Sequence, residues 1–469
     1  MVKNIVTRAD CDYIITKYIG SDQFEVVNFK VKPFEDKERE YYKPDCVLEI
    51  SVKVSKKIER FRFFIKSSSK GYEREIFFYK EFIPHIFQHS SRNINIDFVP
   101  NYFFGDHRFI IIEDMSLKYF TLSKKAHMLD RFHVCLVLNS AAKLHAASLA
   151  YEELHKDSEA SRLFDQNDLV SEDLLWKKNS RNLVNSGLKA IKILLKENVN
   201  LEAIVNKTFE TMQYQTKYRS VLIHGDLHTK NVLFKYTKNL PEDCVLINFG
   251  CCKYFLPAYD VLTLIFFSTT KLFRQHYFTY LIKFYYESLH KELLKYELHI
   301  DRCFTFEDFK QTVNYLMPSI KLRTLLHLQD FGAKPGFYKS LQKDEKAYYT
   351  YLNEDKSAFI EELLQRDPIF KDLLIEATQE LLEVIEIPQV TRENCYEIIE
   401  EELGTTVYDL KSFDVKHHGD SDKDFYELVV RVSGNFKEDE VTTFRYLVQC
   451  GADNYFKVLN KLSVDDNVI

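Results

Sequence analysis

The 469-residue sequence lacks the features that mark secreted, membrane-spanning and nucleic-acid-binding proteins. Its apolar runs near 134–138 and 261–267 are far shorter than the roughly 20 residues that a membrane span requires. The first residues contain no apolar segment of the kind that a secretory signal carries. The net charge is −6, and acidic and basic residues are interspersed without a basic block. We therefore expect neither a membrane nor a nucleic acid as a partner.

Cysteine pairs with the spacing of a zinc site or a redox motif are also missing. The chain has nine cysteines, an odd number, and although Cys251 and Cys252 are adjacent there is no CxxC pair. This pattern favours reduced thiols over a disulfide framework or a zinc site. We expect a cytoplasmic protein.

Glycine is scarce, with 12 residues in the whole chain and none between Gly20 and Gly71. Backbone amides can approach a phosphate only where no side chain intervenes, so glycine-rich loops commonly cover phosphates. The turn region 38–46, EREYYKPDC, has no glycine, and Pro44 removes an amide donor. The sequence therefore predicts no glycine-rich phosphate loop in its N-terminal part.

Apolar and aromatic residues are plentiful, at 45% and 14% of the chain. This composition is typical of a globular protein and not of a disordered one. The length is sufficient for two or three domains with a sizeable core.

The most informative segment is 221–234, VLIHGDLHTKNVLF. Two apolar runs flank a polar loop that contains His224, Gly225 and Asp226, and Asn231 follows five residues after the aspartate. Phosphoryl transfer from a nucleotide uses such a pair, with an aspartate that accepts the proton of the attacking hydroxyl and an asparagine that holds a magnesium ion. The alternative is a simple turn between two hairpin strands.

A second short apolar strand, 244–250, ends at Asn248. Kinases carry at this position an aspartate that is the main magnesium ligand. Ten residues beyond Gly250, Asp260 opens the apolar segment 261–267.

Together, HGDLHTKN, the strand that ends in Asn-Phe-Gly and the segment PAYDVL resemble the ecdysteroid kinase-like family, within the aminoglycoside phosphotransferase and choline kinase superfamily. The resemblance implies that Asp226 acts as base or orients the acceptor hydroxyl. It implies that Asn231 and Asn248 face Mg²⁺. We expect His224 and Asp260 to shape the loop and not to take part in chemistry.

Upstream, the predicted strand FRFFIK carries Lys66, and a predicted helix over 72–87 carries Glu75. One face of this helix consists of Glu75, Tyr79, Phe82 and Ile86. A glutamate on an inward, apolar face is costly unless it is paired, so we predict an ion pair between Glu75 and Lys66. The resemblance places Lys66 on the α- and β-phosphates of ATP. The alternatives are a strand lysine that faces water and a solvated helix glutamate.

A further apolar strand, FIIIEDM, runs into Glu113, Asp114 and Met115. The resemblance makes this segment the hinge between two lobes, with a backbone that binds the adenine edge.

The C-terminal part of the sequence repeats its beginning. VTRADCDYIITKYIG at 6–20 is echoed by VTRENCYEIIEEELG at 390–404, and the match continues for about sixty residues with one slip. The position that matches Lys66 is Gln449, so the second copy lacks the phosphate-binding lysine. The copy is either a module that docks within the chain or the front of a tandem second kinase, truncated in this chain, and we favour the second.

These observations predict an α+β protein with a two-lobed, protein-kinase-like fold. The N-terminal lobe, with an antiparallel sheet, covers 1–115, and the mostly helical C-terminal lobe covers 116–385. Residues 386–469 form the partial repeat of the N-terminal lobe. Aromatic-rich helices over 154–217 and 270–340 are expected to wall the acceptor pocket or simply to form the core.

We interpret the chain as an ATP- and Mg²⁺-dependent kinase that phosphorylates a hydroxyl of a small molecule, such as an ecdysteroid-like or xenobiotic alcohol. The alternative is a catalytically impaired pseudokinase that binds a nucleotide or ligand without turnover. Asn248 and the missing glycine-rich loop favour this alternative, whereas Asp226 argues against it.

Overall fold

A computed structural model gives the fold. It describes residues 6–33, 46–67, 72–85, 96–106, 108–123, 128–154, 180–190, 194, 205–206, 208, 210–211, 217–333, 336–386, 392–403, 408–417, 425–434, 441–450 and 456–466. The chain divides into two compact units, Met1–Ala377 and Thr378–Ile469.

The first unit begins with helix α1 (Arg8–Ile19), and neighbouring residues cap both of its ends. Thr7 and Asp10 form a capping box, and Gly20 ends the helix with a φ of 72°, a conformation that glycine adopts without strain. Cys11, Ile14 and Ile15 on α1 belong to the core cluster that the helix shares with the sheet beside it.

That sheet has five antiparallel strands in the order β1-β2-β3-β5-β4. Its strands are β1 (Glu25–Pro33), β2 (Cys46–Val54), β3 (Lys57–Ser67), β4 (Tyr102–Gly105) and β5 (Phe109–Glu113). Alternate residues of β2, such as Leu48, Ile50 and Val52, point into the core, as the period of two predicts.

Between β3 and β4 the chain forms α2 (Tyr72–Phe77), which continues as a π-helical turn, Phe78–Phe82. Glu75, Tyr79 and Phe82 are buried, so three of the four residues of the predicted inward face lie inward. The fourth, Ile86, lies outside the described residues, as does the turn region 38–45.

The rest of the first unit is mostly helical. Its helices are α3 (Arg131–Leu154), α4 (Ser180–Ala190), α5 (Ala258–Ser268), α6 (Lys271–Leu294), α7 (Phe306–Phe331), α8 (Phe337–Leu341), α9 (Glu345–Asn353), α10 (Ser357–Arg366) and α11 (Pro368–Glu386), within which the division into units falls. Two small antiparallel sheets, β10-β7 and β6-β8-β9, lie among them. Their strands are β6 (Phe120–Thr121), β7 (Val221–Ile223), β8 (Val232–Thr237), β9 (Leu240–Leu246) and β10 (Lys253–Phe255).

Helix α3 is long and apolar enough to cross a membrane by length and composition alone. However, 78% of its most apolar stretch is buried inside the structure, as in the core helix of a folded protein. Its His145 bonds to the hydroxyl of Tyr285 on α6 at 2.6 Å, which fixes the contact between these two helices.

The second unit contains α12 (Arg392–Leu403) and a four-stranded antiparallel sheet in the order β11-β12-β13-β14. The strands are β11 (Tyr408–His417), β12 (Phe425–Gly434), β13 (Val441–Cys450) and β14 (Phe456–Asp466). Cys395, Ile398 and Ile399 of α12 share a core cluster with residues of the strands.

The predicted α+β class, with an antiparallel sheet followed by a helical region, is confirmed. The limits that we predicted for the domains stay predictions. Most of the predicted acceptor-wall segment 154–217 lies outside the described residues, which here include α4 and a few single positions.

Candidate active site

The predicted pair of Lys66 and Glu75 comes together in the structure. Lys66 Nζ lies 2.5 Å from Glu75 Oε2, and the Glu75 side chain is only 3% exposed. A carboxylate this deeply buried needs a cationic or hydrogen-bonding partner to offset its lost hydration. Glu75 Oε1 also accepts a hydrogen bond from the Phe249 amide at 3.3 Å, so α2 is bonded both to β3 and to the segment after β9.

These residues line a cavity of about 240 Å³ at the end of β5. Its wall includes the six predicted residues Lys66, Glu75, Glu113, Asp114, Met115 and Asn248, with apolar surface from Phe64, Ile112, Leu233 and Ile247. A mostly apolar cleft with a few convergent polar groups is typical of a small-molecule site.

The side chain of Asp114, in the segment predicted to be the hinge, is engaged by neighbouring residues. Its Oδ1 accepts hydrogen bonds from the amide and hydroxyl of Ser116, at 3.0 and 2.6 Å, and its Oδ2 lies 3.1 Å from Nε of Arg62. Asp114 therefore caps the short 3₁₀ turn Met115–Lys118 and fixes its direction. These contacts engage the side chain of Asp114, and the adenine contact predicted for the backbone of 113–115 stays a prediction.

Asp260 fixes the backbone of the loop after β7 by hydrogen bonds. Its two carboxylate oxygens accept the backbone amides of His224 and Gly225 at 2.6 and 2.9 Å. His145 Nε2 lies 3.2 Å from the same carboxylate. Burial acts to raise the pKa of Asp260, but the bond with His145 and the amide bond outweigh it and lower the pKa. Asp260 thus stays ionised and makes the contacts that a loop-shaping role requires.

The backbone conformation and close packing at position 225 require a glycine. Its φ is +80°, and a Cβ there would lie 2.0 Å from the carbonyl oxygen of Cys251. Only glycine adopts this backbone conformation without a steric clash. The loop can therefore approach the 249–251 turn closely enough for His224 Nε2 to donate to the carbonyl of Ile247 at 2.9 Å. Burial lowers the pKa of His224.

Asp226 is at the surface of this loop, with 28% of its side chain exposed. Burial acts to raise its pKa, but three neighbouring histidines outweigh that effect and hold the pKa well below the usual value. These are His228, His327 and His224. The carboxylate is therefore ionised across the physiological pH range.

Asn231 and Asn248 form a chain of hydrogen bonds between Lys66 and Asp226. Lys66 donates to Asn248 Oδ1 at 2.8 Å, and Asn248 Nδ2 donates to Asn231 Oδ1 at 2.7 Å. Asn231 Nδ2 then donates to Asp226, to its carbonyl at 2.7 Å and to Oδ2 at 2.9 Å. An aspartate at 248 could not make this chain, because a carboxylate has no proton to donate to Asn231.

The arrangement does not fit a magnesium ion. Mg²⁺ prefers carboxylate and phosphate oxygens in a near-octahedral shell. Here both carboxamide oxygens accept hydrogen bonds, and the ammonium of Lys66 lies 2.8 Å from Asn248 Oδ1. Across the described part of the chain, no group of three or more His, Cys, Asp or Glu side chains could hold a metal.

Sequence reasoning missed two histidines near Asp226. His228 Nε2 lies 3.4 Å from Asp226 Oδ2, and its ring contacts His327 of α7 at 4.8 Å between centroids. The position of His228 within HGDLHTKN was an available signal. No local pattern marks His327, because it reaches the loop from about a hundred residues away.

Comparison with known proteins gives a family match and a weak structural likeness. The model of the ecdysteroid kinase-like family matches residues 28–298. No protein with a curated description matches the chain. The GDP complex of wild-type aminoglycoside 2′-phosphotransferase-IIIa is 14% identical, with 81% of this chain and 99% of that chain covered and a TM-score of 0.31. The GDP and kanamycin complex of APH(2″)-IIia is 13% identical, with 81% and 98% covered and a TM-score of 0.30. Scores of this size are too low to assign a shared fold or ligand.

Proposed function

Since the chain belongs to the ecdysteroid kinase-like family, we propose that it binds ATP and transfers a phosphoryl group to a hydroxyl of a small molecule. The observation that carries the proposal is the cleft that Lys66, Glu75 and the hinge line, joined by hydrogen bonds to the Asp226 loop. A phosphate-binding cation and a carboxylate for the acceptor hydroxyl are two of the groups that such a transfer uses.

Lys66, held by Glu75, contacts the α- and β-phosphates in this proposal. The adenine lies between the apolar walls of the cleft, against the backbone of Glu113 and Met115. Phosphoryl transfer passes through a loose transition state, so positioning and charge stabilisation carry most of the catalysis.

Asp226 receives the hydrogen of the acceptor hydroxyl. Since its pKa is lowered, the carboxylate is ionised before the acceptor arrives. A weakly basic carboxylate orients the hydroxyl first and takes its proton late, when the new P–O bond is forming. This order matches a loose transition state, in which the nucleophile gains little charge early.

The acceptor is an apolar, hydroxylated molecule of the ecdysteroid or xenobiotic alcohol type. Aromatic rings lie beside the loop: His327 stacks between Phe267 and Phe331, with centroids 4.2 and 4.5 Å away. Such rings suit a bulky apolar body whose hydroxyl points to Asp226.

The chain of hydrogen bonds through Asn248 supports a second candidate, a pseudokinase that binds a nucleotide without turnover. A role for Mg²⁺ at Asn231 and Asn248 stays a prediction. In the structure, the carboxamide oxygens of both residues accept hydrogen bonds instead. Losing one preorganised charge from such a site costs roughly two to four decades of rate.

Thermal melting with ATP or GTP, each with and without Mg²⁺, tests both candidates. A ligand at 100 times its dissociation constant adds about 2.7 kcal/mol to the unfolding free energy. We expect a rise in Tm with ATP, and no shift at millimolar nucleotide would contradict both candidates. A rise that needs no Mg²⁺ supports the pseudokinase, whereas a rise that depends on Mg²⁺ supports the kinase.

Turnover is then measured with hydroxylated acceptors such as ecdysteroids. Asp226→Asn should abolish phosphorylation without changing the Tm shift, and unchanged activity would remove Asp226 from its assigned role. Asn248→Asp is the matched gain-of-function variant. It should increase the rate in Mg²⁺ if the missing charge is the defect.

A further inference from the structure

A second cleft of the first unit, which we call the Tyr79 cleft, has a volume of about 300 Å³. It is lined by residues of α1, of the π-helical turn after α2 and of the segment that leads to β4. Its wall is mostly apolar and aromatic, with Ile83, Ile96 and Val99 among its residues. This size and lining are within the range that small-molecule sites have.

The hydroxyl of Tyr79 is a buried polar group that the fold itself does not use. Tyr79 is 2% exposed, and its hydroxyl has no hydrogen-bond partner among the described residues. Burial raises the pKa of this hydroxyl well above its usual value, so the group is a neutral donor. Because a buried hydroxyl is costly unless it is hydrogen-bonded, a molecule in the cleft that accepts this bond gains affinity from it.

Lys17, an exposed residue of α1, is the one charged residue among the described residues that line the cleft. Its Nζ lies 4.8 Å from the centre of the Tyr102 ring, on which the Tyr79 ring also stacks, with centroids 5.9 Å apart. Partial burial lowers the pKa of Lys17, and no neighbouring charge offsets that effect. A carboxylate close to such an ammonium favours its charged form, so the cleft is complementary to an anionic group.

Tyr79 also connects the cleft with the candidate active site. It lies one helical turn after Glu75, in the π-helical turn that continues α2. Its ring meets Phe249 edge-on at 5.9 Å between centroids, and the neighbouring Phe78 stacks on Phe249 at 3.6 Å. Such π-helical turns are rare and frequently occur at functional sites. A ligand that holds Tyr79 therefore also restrains the helix that carries Glu75.

The segment that leads to β4 provides a second connection. Pro100 lines both the Tyr79 cleft and the proposed nucleotide cleft. Next to it, Asn101 Nδ2 donates to Glu113 Oε2 at 3.0 Å, and the Asn101 carbonyl accepts the Glu113 amide at 2.8 Å. Glu113 in turn lines the proposed nucleotide cleft. The two clefts thus share part of one wall.

We propose that the Tyr79 cleft binds a small apolar carboxylic acid, whose carboxylate accepts the hydrogen bond of Tyr79 and faces the ammonium of Lys17. The cleft and the ion pair of Lys66 with Glu75 belong to the same arrangement of α2. A ligand of the cleft therefore favours that arrangement and strengthens the binding of ATP. This coupling rests on the proposed function, whereas the binding of the acid does not.

Binding is measured first, by isothermal titration calorimetry on the full chain without nucleotide. The probe is octanoate, and octanamide is its matched control, with the same apolar chain and no charge. Octanoate should bind, and octanamide should bind about 10-fold more weakly, because hydrogen bonds to charged groups are the stronger ones. No binding of octanoate at millimolar concentration, or an equal affinity for octanamide, would overturn the proposal.

Two variants then locate the probe. Tyr79→Phe removes only the hydroxyl, so it should melt at the Tm of the wild type or above and bind octanoate roughly 10-fold more weakly. Lys17→Gln should bind octanoate and octanamide alike. Tyr349→Phe, at a side chain 59% exposed on α9, is the control and should bind octanoate as the wild type does. Wild-type affinity for octanoate in Tyr79→Phe or in Lys17→Gln would contradict the site.

Coupling is measured as the Kd for ATP with and without saturating octanoate. Octanoate should lower this Kd about 5-fold or more, and by linkage ATP should strengthen octanoate binding by the same factor. An unchanged Kd would overturn the coupling, and a higher Kd would place octanoate in the nucleotide cleft and overturn the whole proposal. No ATP binding under either condition would contradict the proposed function, while the octanoate affinities of the variants would still decide the site.

Discussion

The sheets of the two units begin alike and then differ. Helices α1 and α12 span 8–19 and 392–403, at a constant offset of 384 residues. The first strand pair of each sheet carries a register shift at matching places, Val26/Asn28 and Leu410/Ser412. Cys395, Ile398 and Ile399 are buried in the second core, as Cys11, Ile14 and Ile15 are in the first.

The difference lies at the strand that carries Lys66. In the first sheet, β3 is followed by α2 with Glu75, and β3 pairs with β5, which leads to the predicted hinge. In the second sheet, β13 continues after a short connection into β14, which pairs with β13 directly. By the pairing register, Gln449 stands where Lys66 stands in the first sheet.

The comparison teaches that the core of this sheet and the proposed nucleotide site are separable. Buried apolar residues at matching positions suffice for a helix and three strands, whereas the site also needs a lysine, a glutamate on a following helix and a hinge strand. We therefore propose that residues 386–469 are a second copy of the N-terminal lobe without its nucleotide site. The proposals of a docking module and of a tandem kinase both remain open to experiment.

The largest expected effects come from matching core positions. Ile15 and Ile399 are both fully buried, so Ile15→Ala and Ile399→Ala should each cost about 2–5 kcal/mol of unfolding free energy. Only Ile15→Ala should weaken the Tm shift with ATP. Hydrogen exchange with mass spectrometry measures the stability of each unit separately. A loss of nucleotide binding in Ile399→Ala would contradict the conclusion that the second unit lacks the nucleotide site.

The pH dependence of the first unit gives the next test. Glu152 is 12% exposed, and burial raises its pKa from 4.5 to about 7, despite the opposing pull of Arg219. The folded state thus keeps a proton that the unfolded chain releases, so stability falls as the pH rises from about 4.5 to 7, by about 3 kcal/mol. Hydrogen exchange at several pH values should show this slope in the first unit, and Glu152→Gln should flatten it. A slope unchanged by the substitution would assign the titration to another group.

Exchanging the lysine tests the separation of core and site. Lys66→Gln gives the first sheet the residue that the second sheet has at the matching position. It should remove the Tm shift with ATP, which corresponds to about 2.7 kcal/mol of unfolding free energy at 100 times the dissociation constant. The added substitution Gln449→Lys should not restore it, because the described residues of the second sheet include no counterpart of Glu75 or β5. Restoration by the double variant would show a latent second site.

The smallest effect concerns the helix caps. Thr7 accepts the amide of Asp10 at the start of α1, so Thr7→Ala should cost about 1 kcal/mol. Thr391 is its counterpart in sequence and lies outside the described residues. If the repeat extends to the cap, Thr391→Ala should destabilise the second unit equally in hydrogen exchange. No effect at Thr391 would limit the repeat to the helix and strands.

Local sequence was a good guide wherever a role depends on neighbours in the chain. The spacing in HGDLHTKN set Asp226 and Asn231 on one loop, five residues apart, where they are bonded to each other. The inward face of the helix after β3 led to the pair of Glu75 with Lys66, since a buried carboxylate needs a cation. The ion pair of the Asp114 side chain with Arg62 was not predicted, because Arg62 comes from another strand, and the adenine contact of the 113–115 backbone stays a prediction.

What the sequence by itself determined was the family, the sheet-then-helix order and the residue types of the site, because short-range spacing and hydrophobic period carry that information. The tertiary structure alone decided how those residues are connected. Lys66 and Asn248 are 182 residues apart, yet they share a hydrogen bond that continues to Asp226 and occupies both carboxamide oxygens. His327 likewise reaches the ring of His228 only through the packing of α7. Such contacts depend on which elements meet in space, and no local pattern encodes that meeting.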